Sequence, residues 1–146
     1  MRTRARLLPV VLLVAVVAAC GGDDGGSDAS VSTIDPVANL PEVADSEFVD
    51  MTGQSEVLIE AKDNKFAPQF VTVSPGTKVS FENKGRNPHN VIPVVDDQFP
   101  TVPTDEFQSG DTAVVTFDEA GLYPYYCSLH GTPSAGMDGR IRVAEQ

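Results

Sequence analysis

A thiol, an imidazole and a thioether lie close together near the end of the chain. Cys127, His130 and Met137 fall between an aromatic run and a short alternating run, and His89 lies well upstream of them. The chain has two histidines, so both belong to this set. Imidazole nitrogen, thiolate and thioether sulfur are ligands that proteins use for transition metals. The four residues therefore predict a metal site.

The types of these ligands indicate which metal. Two His and one Cys in a trigonal group, with a long axial Met, make up the donor set of blue-copper electron-transfer sites. Taken singly, a Cys is often a small buried hydrophobe and a Met is often core filler. A copper site accounts for all four residues together, whereas zinc would suit His₂Cys but leave Met137 unexplained. We therefore expect one copper ion.

Three segments of the chain must bring these ligands together. We expect Cys127 to end a strand, so that a single turn presents its thiolate and the His130 imidazole to one ion. Residues 131–136 read as a turn-forming loop that returns Met137 toward the ion. The loop at 83–88 delivers His89 from a neighbouring part of the fold.

From about residue 48, short alternating apolar runs are separated by turn signals, which is typical of an all-β sandwich. Residues 63–68 read as a turn-rich connection with Phe66 in the core, and residues 95–111 as a loop or short irregular element. In the last run we expect Ile141 and Val143 to face inward and the two arginines outward. We predict about seven strands, at residues 57–61, 70–73, 78–82, 90–94, 113–117, 122–126 and 139–143.

The first 19 residues read as a secretory signal of the lipoprotein type. Three arginines precede an apolar run at 7–17, and small residues then lead to Cys20. We predict that Cys20 is lipidated, although an ordinary signal peptide with an incidental Cys remains open. Residues 20–47, rich in Gly, Asp and Ser, then form a flexible tether, and residues 48–146 form the folded domain. The protein would be exported and anchored on the outer face of the cell membrane or in the periplasm.

The charge of the chain limits its partners. The net charge is −11, and without Arg2, Arg4 and Arg6 only seven basic residues oppose 21 acidic ones. This composition disfavours nucleic acid, whose phosphates require Lys and Arg. It favours redox partners with basic docking surfaces, or it serves only to keep an exported protein soluble. We expect a monomer.

Several short motifs together resemble those of a known family. They are His89-Asn90-Val91, Cys127-x-x-His130, Gly136-Met137-x-Gly139-x-Ile141, and the upstream Phe66-x-Pro68 and Pro75-Gly76. Over residues 51–143 the chain resembles the plastocyanin/azurin family of blue-copper proteins, the cupredoxins. The resemblance implies a Greek-key β-sandwich that binds one copper ion through His89, Cys127, His130 and an axial Met137.

The same resemblance implies that Asn90 ties the two ligand loops together through hydrogen bonds. It also implies a one-electron carrier between larger redox proteins rather than an enzyme. Six residues separate His130 from Met137, more than in the familiar loops of the family, so Met51 or a backbone carbonyl stays open as the axial ligand.

Three other functions are compatible with parts of the pattern. A copper chaperone or store would use the same ligands for delivery, although such proteins often carry Met- or His-rich tracts that this chain lacks. A copper enzyme would need further histidine clusters, which two histidines cannot supply. A structural zinc module would use the His₂Cys group alone.

Overall fold

The structure is a computed structural model that describes residues 35–145. These residues fold into two β-sheets. The predicted signal, Cys20 and the beginning of the predicted tether lie outside these residues. No helix within residues 35–145 is long and apolar enough to cross a membrane. The described residues form nine strands: β1 Val49–Asp50, β2 Glu56–Lys62, β3 Lys65–Ala67, β4 Phe70–Val73, β5 Thr77–Asn83, β6 Ile92–Pro93, β7 Thr112–Phe117, β8 Gly121–Thr132 and β9 Ala135–Val143.

The first sheet has the strand order β1-β4-β9-β8-β6, and the second has the order β3-β2-β5-β7. Parallel pairs join β1 to β4, β4 to β9 and β2 to β5, while the hairpin of β8 and β9 is antiparallel. Pairs of strands that are distant in sequence therefore hold both sheets together. The architecture is the predicted all-β, two-sheet sandwich.

Alternating side chains from both sheets fill the space between them. Along β2, Val57, Ile59 and Ala61 are buried, as the alternation in sequence predicts. The rings of Phe66 and Phe81 pack edge-on against Tyr125, with centroids 4.9 and 5.3 Å from its ring. Aromatic rings favour this edge-to-face packing, which here joins the core of both sheets beneath the strand that carries Cys127.

Residues 65–67 form strand β3, so the prediction of a turn-rich connection throughout 63–68 was too broad. Asp63 and Asn64 have φ values of 50° and 67°. Two successive residues with positive φ form the tight turn whose twist matches a hairpin. This turn pairs β3 with β2, and Phe66 is buried as predicted.

The acidic segment at 95–111 is irregular but fixed to the sandwich. Val91 and Val102 form an isolated antiparallel bridge, and Thr104–Glu106 is a single 3₁₀ turn. Phe99 and Phe107 are buried in the core. These two rings anchor a segment whose apolar residues follow neither the helical nor the strand period in sequence.

Arg140 and Arg142 point away from the core as predicted, but Arg140 is nevertheless buried. Its Nη2 donates a hydrogen bond of 2.5 Å to the carbonyl of Pro41, and its guanidinium lies over the Phe70 ring. Arg142 lies over the ring of Phe48, 3.8 Å from its centroid. Residues 41–48, named here the N-terminal strap, therefore cover the outer face of β9.

Candidate metal centre

Three of the predicted ligands meet at one point. Sγ of Cys127 lies 3.7 Å from Nδ1 of His89 and 3.7 Å from Nδ1 of His130. The three ligand atoms all lie within 4.8 Å of one another. Within the described residues this is the one group of His, Cys, Asp or Glu that could hold a metal ion. Sequence reasoning thus correctly predicted that these residues converge.

Strand β8 positions both Cys127 and His130. Tyr123, Tyr125 and Cys127 alternate into the core, and Cys127 is 0% exposed. The expectation that the strand ends at Cys127 was wrong, because β8 continues to Thr132. The pairing with β9 is interrupted between Tyr126 and Gly131. Such an irregularity bends the strand and re-aims its side chains, which lets His130 point back at the thiol.

The predicted loop at 131–136 is a tight hairpin. Gly131 pairs with Gly136, and Thr132 pairs with Ala135. A Cβ on Gly131 would collide with the backbone nitrogen of Met137, and Gly136 has a φ of +86°. The two glycines therefore allow the backbones of β8 and β9 to approach closely beside His130. The interval that seemed long in sequence is taken up by this hairpin.

Met137 lies on β9 immediately after that hairpin and is fully buried. The other candidate for an axial ligand, Met51, follows β1 at the far edge of the sheet. Two strands, β4 and β9, separate β1 from β8, so Met51 is remote in the sheet from the strand that carries Cys127. The topology favours Met137 over Met51.

His89 comes from the loop at 84–88 and is also 0% exposed. Its backbone N–H donates to the carbonyl of Phe107 at 3.1 Å. Its Nδ1 faces the thiol, whereas Nε2 lies against Gly85 and has no hydrogen-bond partner among the described residues. Burial, and secondarily the nearby His130, lower the pKa of His89. The ring is therefore held neutral, as a metal ligand must be.

Asn90 joins the two segments that carry the ligands. Its Oδ1 accepts a hydrogen bond from the backbone N–H of Ser128 at 2.9 Å. Its Nδ2 donates to the Ser128 hydroxyl at 2.9 Å and to the Thr104 hydroxyl at 3.2 Å. The expected bridge is present, but sequence reasoning missed Ser128 and Thr104. Ser128 is adjacent to Cys127 and could have been suspected, whereas nothing in the sequence marks Thr104.

The donor set fits copper. Two imidazoles and a buried thiol are borderline and soft ligands, which suit copper better than hard cations. The pairs are close enough for one small ion to bridge them. His130 is half-buried, and its neighbour Leu129 is 50% exposed. The site is therefore closed on the His89 side and close to solvent on the His130 side.

Comparison with known proteins agrees with this geometry. A two-sheet β-sandwich with a buried His₂Cys group defines the cupredoxin class. The family model described as "Copper binding proteins, plastocyanin/azurin family" matches residues 53–144. The chain therefore belongs to the plastocyanin/azurin family of copper-binding proteins.

Individual relatives and solved structures support the same assignment. Plastocyanin from Solanum crispum is 34% identical over 100 residues, which cover 60% of this chain and 98% of the relative. A purple cupredoxin from Nitrosopumilus maritimus aligns with a TM-score of 0.51 and 25% identity, covering 60% of this chain and 98% of that one. An oxidised amicyanin variant gives a TM-score of 0.53 and 25% identity, covering 63% and 85%.

Proposed function

We propose that this protein is a small blue-copper electron carrier that acts outside the cytoplasm. Its ligands are Nδ1 of His89, Sγ of Cys127, Nδ1 of His130 and the thioether of Met137. The observation that carries the proposal is the meeting of three ligand atoms within 4.8 Å inside a family-matched sandwich. Bound copper would supply one-electron chemistry by alternating between Cu(I) and Cu(II).

The protein's part in electron transfer is to keep the site from rearranging. Cys127, Met137 and His89 are fully buried, so neither solvent nor loop motion easily changes the surroundings of the ligands. Asn90 links their loops through hydrogen bonds to Ser128. Partners of this kind orient metal ligands and tune the metal. A site that changes little between oxidation states transfers electrons with little reorganisation.

The exposed edge of His130 supplies the route by which an electron enters and leaves. Leu129 is exposed, and Gly131 and Pro133 are half-buried beside His130. These three residues form an apolar collar against which a redox partner can dock. Exposed acidic residues elsewhere favour partners with basic docking surfaces.

The ligand arrangement disfavours catalysis and copper delivery. Four protein ligands leave no position for a substrate, whereas catalytic metal sites keep one open. Copper handling requires exchange of the ion, and a site with fully buried His89 and Cys127 opposes rapid exchange. We therefore favour electron transfer over enzymatic or chaperone roles.

We further propose that residues 1–19 are removed, that Cys20 is lipidated, and that a tether holds the domain outside the membrane. The sequence around Cys20 supports this, and the proposal concerns residues outside those that the structure describes. In a bacterial host, mass spectrometry of the mature protein should find a diacylglyceryl-modified Cys20. A Cys20→Ala variant should move from the membrane fraction to the soluble fraction. An unmodified mature N-terminus in the membrane fraction would contradict lipidation.

A redox titration of the intact protein tests electron transfer. The copper-loaded protein should accept one electron per copper from ascorbate and return it to ferricyanide over repeated cycles without metal loss. Loss of copper on reduction would favour the delivery role. Zinc in protein purified from its native host, without copper, would favour a structural zinc module.

A further inference from the structure

Asn83, the last residue of β5, has a fully buried side chain that bonds only to loops. Its Nδ2 donates hydrogen bonds of 3.0 Å to the carbonyls of Asn87 and Phe107. Its Oδ1 accepts a hydrogen bond of 2.9 Å from the backbone N–H of Gly85. With 0% exposure, the amide has no water to replace these partners. Two of these bonds therefore fix the loop at 84–88 from inside, and the third ties it to Phe107.

The Phe107 carbonyl links Asn83 directly to the metal ligand His89. This oxygen accepts from Nδ2 of Asn83 and also from the backbone N–H of His89, at 3.1 Å. The backbone of Asn83 bonds to the same segment, because its N–H donates to Asp111 and its carbonyl accepts from Gly110. One residue thus joins the two segments on either side of His89.

Gly85 links the hydrogen bonds of Asn83 to the imidazole ring of His89. Its N–H donates to Oδ1 of Asn83 at 2.9 Å and to the carbonyl of Ala61 at 3.1 Å, and its carbonyl accepts a hydrogen bond of 2.6 Å from the Ser109 hydroxyl. A Cβ on Gly85 would lie 3.1 Å from Nε2 of His89, so the glycine backbone packs directly against the ring. When Gly85 is fixed, the ring cannot rotate away from the thiol on that side.

We propose that Asn83 is a positioning residue that fixes His89 in its ligand orientation before any metal binds. The proposal deepens the proposed function, on which its consequence for copper rests. Its structural part concerns the metal-free protein and can be tested alone. The hydrogen bonds of Asn83 go to none of the ligands, and it acts on His89 through Gly85 and Phe107.

Asn83→Asp is the sharpest variant, because the two side chains have nearly the same shape. The aspartate keeps the acceptor for Gly85 but turns both donors into an oxygen that faces the carbonyls of Asn87 and Phe107. Thr77→Val is the matched control. Thr77 lies at the other end of β5, is 2% exposed, and donates one hydrogen bond of 3.0 Å to the Gln54 carbonyl. Both variants remove buried hydrogen bonds from β5, but only one touches the His89 loop.

Amide hydrogen exchange of the metal-free intact protein, followed by NMR, tests the restraint. In the wild-type protein, the amides of Gly85 and His89 should exchange as slowly as those in the middle of β5. Asn83→Asp should speed their exchange about tenfold or more relative to the β5 amides. Thr77→Val should leave that ratio unchanged. Rapid exchange of Gly85 and His89 in the wild type overturns the proposal even if Asn83→Asp does not fold.

The Cu(II)-loaded variants provide the second readout. With His89 released, the copper in Asn83→Asp should relax toward tetragonal geometry, which widens the parallel hyperfine splitting and weakens the blue band. Thr77→Val should keep the wild-type spectrum. Identical spectra for Asn83→Asp and the wild type would overturn the role toward copper. If the wild-type protein itself gives no blue site, the proposed function fails, while the exchange data still decide the role of Asn83.

Discussion

Cys127 is the one free cysteine among the described residues. It is fully buried, and its sulfur faces two imidazole nitrogens at 3.7 Å each. The thiolate is the form that binds metal, and soft thiolate ligands favour copper. A bound ion would also protect the sulfur from oxidation. As a copper ligand, this residue would determine both the colour and the redox character of the site.

Replacing Cys127 with serine should abolish the thiolate-to-copper absorption. A serine oxygen is a hard donor with no low-energy charge transfer to Cu(II), so the intense blue band should fall by at least about tenfold. Visible absorption of the copper-loaded variant measures this. Leu129→Ala is the control, since it changes an exposed neighbour of the ligands and should keep the band. A blue Cys127→Ser protein would mean that the thiol is not a ligand.

The metal-free protein should lose stability as the pH falls below 6.5, the usual pKa of histidine. Burial lowers the pKa of His89 in the folded state. Just below the ordinary pKa, the unfolded chain therefore binds a proton at this residue that the folded chain does not bind. Stability therefore rises with pH between the lowered folded pKa and the ordinary unfolded value. The contribution of His89 is at most about 1.4 kcal/mol per pH unit.

Urea unfolding of the metal-free protein at several pH values tests this. His89→Gln should flatten the slope below pH 6.5, because glutamine does not titrate. A slope that is the same in both proteins would show that His89 does not resist protonation.

At this scale the sequence predicted residue types better than supporting contacts. His89, Cys127 and His130 could be found because histidine and cysteine are scarce in the chain. The roles of Asn83 and Thr104 could not be predicted, because they depend on hydrogen bonds to Phe107 and Asn90, which lie 24 and 14 residues away in sequence. An asparagine at a strand end otherwise reads as an ordinary turn residue.

At the scale of elements, the β8–β9 hairpin brings Cys127, His130 and Met137 close together. Gly121 pairs with Val143 at one end of the hairpin, and Thr132 pairs with Ala135 at the other. The irregularity after Tyr126 lies between these two ends. The alternation in sequence predicted the bounds of β2, β4 and β7 to within one residue. It ended β8 too early because a bulge within a strand removes the alternation that marks it.

Gly139 is a tightly packed point of this hairpin, and alanine there should destabilise the protein. A Cβ at Gly139 would collide with the ring and hydroxyl of Tyr125, which is fully buried. Overpacking of this kind costs about 1–3 kcal/mol. Thermal or urea unfolding of the metal-free protein measures the loss.

A second substitution separates the clash from a backbone effect. Tyr125→Leu removes the ring, so Gly139→Ala should cost much less in the Tyr125→Leu background than in the wild type. An equal cost in both backgrounds would contradict the collision as the cause. The Tyr125 hydroxyl has no hydrogen-bond partner among the described residues, so its loss removes no bond.

At the scale of the molecule, the N-terminal strap adds a layer outside the sandwich. Phe48 packs on Phe70 with centroids 5.7 Å apart and lies beneath the Arg142 guanidinium. Asp45 forms an ion pair of 2.9 Å with Arg142. The polar composition of this stretch does not predict these contacts. They form only when the folded sheet brings the outer face of β9 next to the strap.

Phe48→Ala should lower the free energy of unfolding by about 1–2 kcal/mol, because it removes a half-buried ring and its contact with the Arg142 cation. Asp45→Ala should change it by less than about 0.5 kcal/mol, since exposed ion pairs contribute little. Urea unfolding of both variants measures the difference. Equal effects would contradict the ring of Phe48 as the main contact that holds the strap. Neither variant should alter the copper spectrum.

The Cu(II) spectrum of the intact protein tests the central claim most directly. Visible absorption and electron paramagnetic resonance should show an intense blue thiolate-to-copper band with a narrow parallel hyperfine splitting. Ascorbate should bleach the band, and reoxidation should restore it. A pale protein with the hyperfine splitting of ordinary tetragonal copper would mean that His89, Cys127, His130 and Met137 do not bind one ion together.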